Sequence, residues 1–173
     1  MWVYYLGQAI GGIGVILFFT SYLLKNQKQL LLLQTIANGV MFVHYLLIGA
    51  TSGYVLAIVS IARNIVFYFR DRKYLSSILI PIAFAVIITV VGAFSWQGYY
   101  SLFLIVGLAV NTIFLSVKNI NIVRISVIFT CALILTYNAF VFSIPGMINE
   151  AVSIIGAIVG LITYCIKNKK VKG

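Results

Sequence analysis

Polar residues divide the chain into seven apolar runs, each near the roughly 20 residues that cross a bilayer as a helix. The runs cover 2–24, 29–48, 54–69, 75–94, 99–117, 120–141 and 147–166. Short segments rich in Gly, Ser, Asn, Lys and Arg separate them, among them 49–53, 70–73 and 143–146. The pattern predicts an all-α membrane protein of seven transmembrane helices.

Within this pattern one stretch is nearly written twice. Residues 59–66 read Val-Ser-Ile-Ala-Arg-Asn-Ile-Val, and residues 152–159, 93 positions later, read Val-Ser-Ile-Ile-Gly-Ala-Ile-Val. Five of the eight positions are identical, while Arg63 and Asn64 stand against Gly156 and Ala157. The same offset lays Lys25-Asn26 on Lys118-Asn119 and Gly53 on Gly146. Runs one to three therefore correspond to runs five to seven. Three is an odd number, so a linking helix is needed to give both triplets the same orientation. The expected plan is a 3+1+3 arrangement of two parallel three-helix repeats. The first repeat is 1–73, the linker helix 74–98, and the second repeat with its basic tail 99–173.

Composition agrees with a membrane location. The 173 residues are 63% hydrophobic and 8% charged, too little polar material to coat a soluble domain. The net charge of +10 would suit nucleic acid in a soluble protein, but its placement points elsewhere. The ends of runs one, three, five and seven carry Lys25, Lys28, Arg70, Arg72, Lys73, Lys118, Lys167, Lys169, Lys170 and Lys172, and Arg124 lies a turn into run six on that side. The opposite ends carry no Lys or Arg. The positive-inside bias then sets the amino terminus outside and the carboxyl terminus in the cytoplasm, with membrane lipid rather than nucleic acid as the partner of the positive charge. Trp2, Tyr4, Tyr5, Tyr54, Trp96, Tyr99 and Tyr100 fall near the outer interface, as an aromatic belt would. The amino terminus lacks a basic n-region, so the first run is expected to be a retained helix. Cys131 and Cys165 lie in separate apolar runs, and two unpaired thiols are expected.

The chain resembles the YgjV family of bacterial inner-membrane proteins. The residues that carry the resemblance are Val43-His44-Tyr45-Leu46-Leu47-Ile48-Gly49, Ala57-Ile58 through Arg63, Phe129-Thr130-Cys131, Asn138 and Ile148-Asn149-Glu150. Its plan is similar to that of the wider PQ-loop/MtN3-like group, which includes the SWEET sugar transporters and PnuC vitamin transporters. The first run carries Gly7-Gln8 and no Pro-Gln pair. The resemblance implies an inner-membrane, transporter-like fold.

Three ionisable groups fall inside the runs, and such groups are functional candidates because they are costly in lipid. Arg63 lies seven residues before Arg70, roughly 10 Å inside the cytoplasmic end. Ala57, Ser60, Arg63, Asn64 and Phe67 share one helix face, and the equivalent face holds Glu150, Ser153, Gly156, Ala157 and Gly160. Facing one another, these would form one charged wall and one hollowed wall. Arg63, Asn64, Ser60, Ser153 and Gly156 are the expected substrate-binding residues. Close helix packing is the bland alternative for the small face, and snorkelling to lipid headgroups is that for Arg63. His44 and Glu150 have similar depths and form a candidate gate or proton site; the bland alternative places each in the wet interfacial zone, and for His44 alone a satisfied structural hydrogen bond is the favoured reading. An Arg63–Glu150 bridge is disfavoured by a difference in level of about 9 Å. Asn38, Asn111 and Asn138 are expected to bond between helices.

An enzyme is not expected. One histidine and two acids, Asp71 and Glu150, supply no metal cluster, phosphate loop or nucleophile–base pair, so neither metal nor cofactor is implied. The expected function is passage of a small polar or anionic solute between helices three and seven. The alternatives are a scaffold, a sensor or a lipid-headgroup binder on the same fold. Self-association into a homo-oligomer stays open.

Overall fold

The computed structural model describes residues 2–23, 27–69, 79–114, 117 and 120–172. Every regular element among them is helical: α1 (Trp2–Leu23), α2 (Gln27–Leu47), α3 (Thr51–Tyr68), α4 (Leu79–Phe94), α5 (Ser101–Phe114), α6 (Ile120–Phe140) and α7 (Ile144–Lys172). Five of them, α1, α2, α3, α6 and α7, are long and apolar enough to cross a membrane, and α4 and α5 are shorter apolar helices. Of the Lys and Arg residues behind the charge bias, Lys25, Arg70, Arg72, Lys73 and Lys118 lie outside the described residues.

Helix starts differ from the sequence expectation in an instructive way. The segments 49–53 and 143–146 read as loops, yet α3 begins at Thr51 and α7 at Ile144. Gly53, Pro145 and Gly146 are first-turn residues, where a missing N–H or side chain costs little. Ser143 caps α7, its Oγ accepting the Gly146 N–H at 3.2 Å. At the other end α7 continues to Lys172, because neither Gly nor Pro interrupts 161–172.

The two short turns on one side of the bundle have the same hydrogen-bond pattern, shifted by 93 residues. The Ala50 N–H bonds the Tyr45 carbonyl at 2.9 Å, and the Ser143 N–H bonds the Asn138 carbonyl at 2.9 Å. Ile48 to His44 and Val141 to Tyr137 are likewise both 3.1 Å. Each turn passes through a left-handed residue, Gly49 at φ 74° and Phe142 at φ 53°. These are helix C-caps of the αL type.

Each turn is also gripped by a glutamine from the other half of the chain. Gln8 on α1 donates to the Phe142 carbonyl at 2.7 Å and accepts the Ile144 N–H at 3.2 Å. Gln97, before α5, donates to the Gly49 carbonyl at 3.0 Å and accepts the Ser52 N–H at 3.3 Å. Ala50 offers no side-chain cap to α3, so Gln97 satisfies a helix N-terminal amide that would otherwise be orphaned.

Neighbouring helices in the sequence are neighbours in space from α1 to α7. Contacts of α1 with α7 and of α3 with α5 close the arrangement, and α4 packs on both α3 and α5. Close approach depends on missing side chains. A Cβ at Gly14 would fall 2.9 Å from Met41 Sδ, and one at Gly107 would fall 2.8 Å from Ile134 Cγ1. These contacts, again 93 residues apart, set α1 against α2 and α5 against α6.

The interior mixes polar and apolar side chains, while much of the exterior is apolar. Among the described residues thirteen polar or charged side chains are buried, against fifteen apolar ones, while Ile16, Ile58, Val86, Phe129, Ile155 and Ile162 are exposed. A surface this apolar is unfavourable in water and suited to lipid.

Candidate functional site

A cavity of about 610 Å³ lies inside the bundle, lined by residues of every helix except α4. Its walls come in pairs separated by 93 residues: Phe18 and Asn111, Gln34 and Val127, Asn38 and Cys131, Met41 and Ile134, Ala57 and Glu150, Ser60 and Ser153, Arg63 and Gly156. Residues 93 positions apart in the sequence thus face the same space. Where one member of a pair is polar, the other is often apolar or small.

Arg63 supplies the first charge. It is only 7% exposed, and α5 helps to hold it, since its Nη1 donates to Thr112 Oγ1 at 2.9 Å. Its Nε and Nη2 donate to Asn64 Oδ1 at 3.3 and 3.2 Å. Asn64 is buried beside the cavity wall and steers the guanidinium rather than lining the space itself. Phe67, expected on the same wall, instead packs edge-on against Phe84 of α4, with ring centroids 6.3 Å apart.

Across the cavity α7 contributes Glu150, Ser153, Gly156 and Ala157. A Cβ at Gly156 would meet nothing within 4 Å, so the space opposite Arg63 is open. Ser153 bonds back to the Asn149 carbonyl at 2.9 Å, and Asn149 Nδ2 donates to Glu150 Oε1 at 3.1 Å. Ser60 is buried on the facing wall.

Arg124 supplies a second positive charge, which the sequence pattern grouped with the loop cations. It lines the cavity from α6 and donates from Nη1 to the Gly160 carbonyl at 2.9 Å and to Asn121 Oδ1 at 3.2 Å. A Cβ on Gly160 would lie 2.7 Å from Arg124 Nε, so the glycine makes room for the guanidinium to lie across α7. The available signal was Arg124 falling within an apolar run, the criterion that selected Arg63.

His44 does not border the cavity. It is fully buried, with Nδ1 2.8 Å from the Gly7 carbonyl and Nε2 2.7 Å from Ser143 Oγ. A carbonyl only accepts, so Nδ1 carries the proton, and a neutral ring accepts the Ser143 hydroxyl at Nε2. His44 and Glu150, paired in the sequence expectation, are therefore apart in role: the ring nitrogens join α1 to the α6–α7 turn, and the carboxylate faces the cavity. On the turn side of the cavity a hydrogen bond bridges α2 and α6. Tyr45 Oη donates to Asn138 Oδ1 at 2.8 Å, and Tyr137, Asn138 and Ser143 are fully buried around that bond.

The lining thus carries two guanidinium groups and one carboxylate. Gln34, Asn38, Asn111 and Asn149 add amide donors and acceptors, and Met41, Leu104, Leu108 and Ile134 add apolar surface. The space fits a small molecule with negative charge and hydrogen-bonding groups. Among the described residues no group of three or more His, Cys, Asp and Glu side chains could hold a metal ion.

The family model Imp-YgjV, described as bacterial inner membrane protein, matches residues 5–168. No curated protein and no solved structure matches the chain. The chain belongs to the Imp-YgjV family of bacterial inner membrane proteins.

Proposed function

We propose that this inner-membrane protein passes a small polar or anionic solute through the cavity between two three-helix repeats, without catalysis. The observation that carries this is the cavity itself, with Arg63 and Arg124 on its walls and open space at Gly156 opposite Arg63. A scaffold on the same fold would gain nothing from a charged hollow of this size, because empty polar space costs packing.

The 3+1+3 plan is part of the proposal. It is supported by the matched turns, the paired cavity walls and, α4 aside, a set of helix pairings that is unchanged when α1, α2 and α3 are exchanged with α5, α6 and α7. Alternating access would then be a rocking of one triplet on the other. With the amino terminus outside, as the charge bias indicates, the Tyr45–Asn138 side faces outward and Arg63 lies toward the cytoplasm. Arg63 is the anion contact, Ser60, Asn111 and Ser153 are hydrogen-bonding groups, and Glu150 is the acid that distinguishes the turn end of the cavity from its arginine end.

The test is uptake of labelled small anions and polar metabolites into liposomes containing purified protein. Transport of at least one class is expected, with a loss of tenfold or more in Arg63→Gln protein that still inserts and elutes as a folded species. No transport across a broad panel would sink the proposal.

A further inference from the structure

The α1–α7 seam differs from its counterpart on the opposite side of the bundle. The α3–α5 seam is covered by α4, which packs on both helices. The α4–α5 contact is tight, since a Cβ on Gly92 would fall 2.5 Å from Ile105 Cγ1. No described helix covers the α1–α7 seam. A second, apolar cavity of about 210 Å³ lies there, lined by Val15, Ile16, Phe19, Asn149 and Val152. Phe19, Asn149 and Val152 also line the central cavity, so the two spaces share one thin wall. On its outer side the seam meets lipid, with Ile16 66% and Phe19 50% exposed.

We propose that the solute is an amphipathic anion that enters sideways from the bilayer. Its charged head sits near Arg63 and Arg124, and its alkyl chain lies in the α1–α7 seam. The proposal rests on the anion-passing role of the central cavity and names the class of molecule that uses it. Three features point the same way. The positive charges outnumber the one carboxylate in the central cavity, which selects an anionic head. The seam cavity is almost wholly apolar, which suits a hydrocarbon chain and not a second polar group. The same three residues, Phe19, Asn149 and Val152, border both spaces, so head and chain of one molecule could lie on either side of them. Turning the Phe19 ring about its side-chain torsions would join the two spaces without unfolding either helix.

The probe is an octyl phosphate with a photoactivatable diazirine near the end of its chain, added to the full-length protein in nanodiscs. Cross-links are expected on Val15, Ile16, Phe19 and Val152. They should fall at least fivefold when excess unlabelled octyl phosphate is added and in the Arg63→Gln/Arg124→Gln double variant. Val15→Trp, at a position that borders the seam and not the central cavity, fills the seam and should remove the Phe19 cross-link while leaving binding of methyl phosphate, the head alone, within about twofold of wild type. Cross-links spread evenly over lipid-facing positions such as Val86 and Val90 of α4, or seam cross-links that excess octyl phosphate does not reduce, would overturn the proposal. Binding of methyl phosphate reports separately on the central cavity. If it persists while the seam stays unlabelled, only the sideways route and the alkyl chain fail.

Discussion

Tyr45 and Asn138 occupy the same position in the two halves of the chain, 93 residues apart, and they bond to each other at 2.8 Å. Two equivalent residues can touch only where they meet at the axis that relates their halves. On the proposed 3+1+3 plan the bond would lie at that axis, and it bridges α2 and α6 beside the cavity. Each partner is backed by a glycine of its own half: a Cβ on Gly53 would press on the Tyr45 ring and one on Gly146 on the Asn138 amide.

Breaking this bond should loosen the join between α2 and α6. Tyr45→Phe leaves the buried Asn138 Oδ1 without its donor, at a cost of about 0.5–2 kcal/mol in a membrane interior. A double-mutant cycle with Asn138→Leu, followed by thermal unfolding in detergent, should give a coupling of that size. Coupling near zero would mean that the bond does not hold the halves together.

The two glutamine grips predict a crossed pattern of protection. Gln8→Ala should speed amide exchange at 142–146, in the second half, and leave 49–53 unchanged. Gln97→Ala should do the reverse. Hydrogen exchange read by mass spectrometry separates the two turns. Equal effects of either variant on both turns would refute the pairing.

Gly146 and Gly156 should respond oppositely to alanine. At Gly146 a Cβ would meet the Asn138 amide and Ser143 Oγ, so Gly146→Ala should reduce the yield of folded protein. At Gly156 nothing lies within 4 Å, and Gly156→Ala should fold normally. Gly156→Leu should also fold but fill the space before Arg63, lowering solute uptake tenfold or more. Thermal stability and liposome uptake, measured on the same preparations, distinguish the two sites.

Phe142 holds a left-handed conformation that its counterpart Gly49 adopts freely. The ring is 70% exposed, so it contributes little packing in return. Phe142→Gly should stabilise the protein by up to about 1 kcal/mol, the strain relieved less the glycine entropy. A fall in unfolding temperature would show that the ring has a partner in the bilayer.

Much of the fold was legible because lipid enforces simple rules. Runs of about 20 apolar residues mark helices, and the copy of 59–66 at 152–159 reveals the internal correspondence. Arg63 was legible as a residue turned to the bundle interior because a charge in an apolar run is costly against lipid. Arg124 was obscured by its nearness to the helix end, where the charge bias already explained it. For His44 the structural hydrogen bond was legible, but its pairing with Glu150 was not, since depth along a helix does not fix the direction in which a ring points. Its partners, the Gly7 carbonyl and Ser143, follow from helix rotation and from the turn geometry. The glutamine grips were illegible for a related reason: Gln8 and Gln97 are not equivalent positions, and only the fold brings both to corresponding turns.

The open space at Gly156 has a consequence for how such a protein can be assembled. A symmetric dimer of one three-helix unit would place the same residue on both sides of the axis. With Arg63 at that position, two guanidinium groups would confront each other across the cavity and repel. With Gly156 there, the cavity would be roomy but would lose the Arg63 charge. Joining the two units in one chain lets one copy keep the charge while the other gives way, so an off-centre, charge-selective site can form inside a nearly symmetric frame.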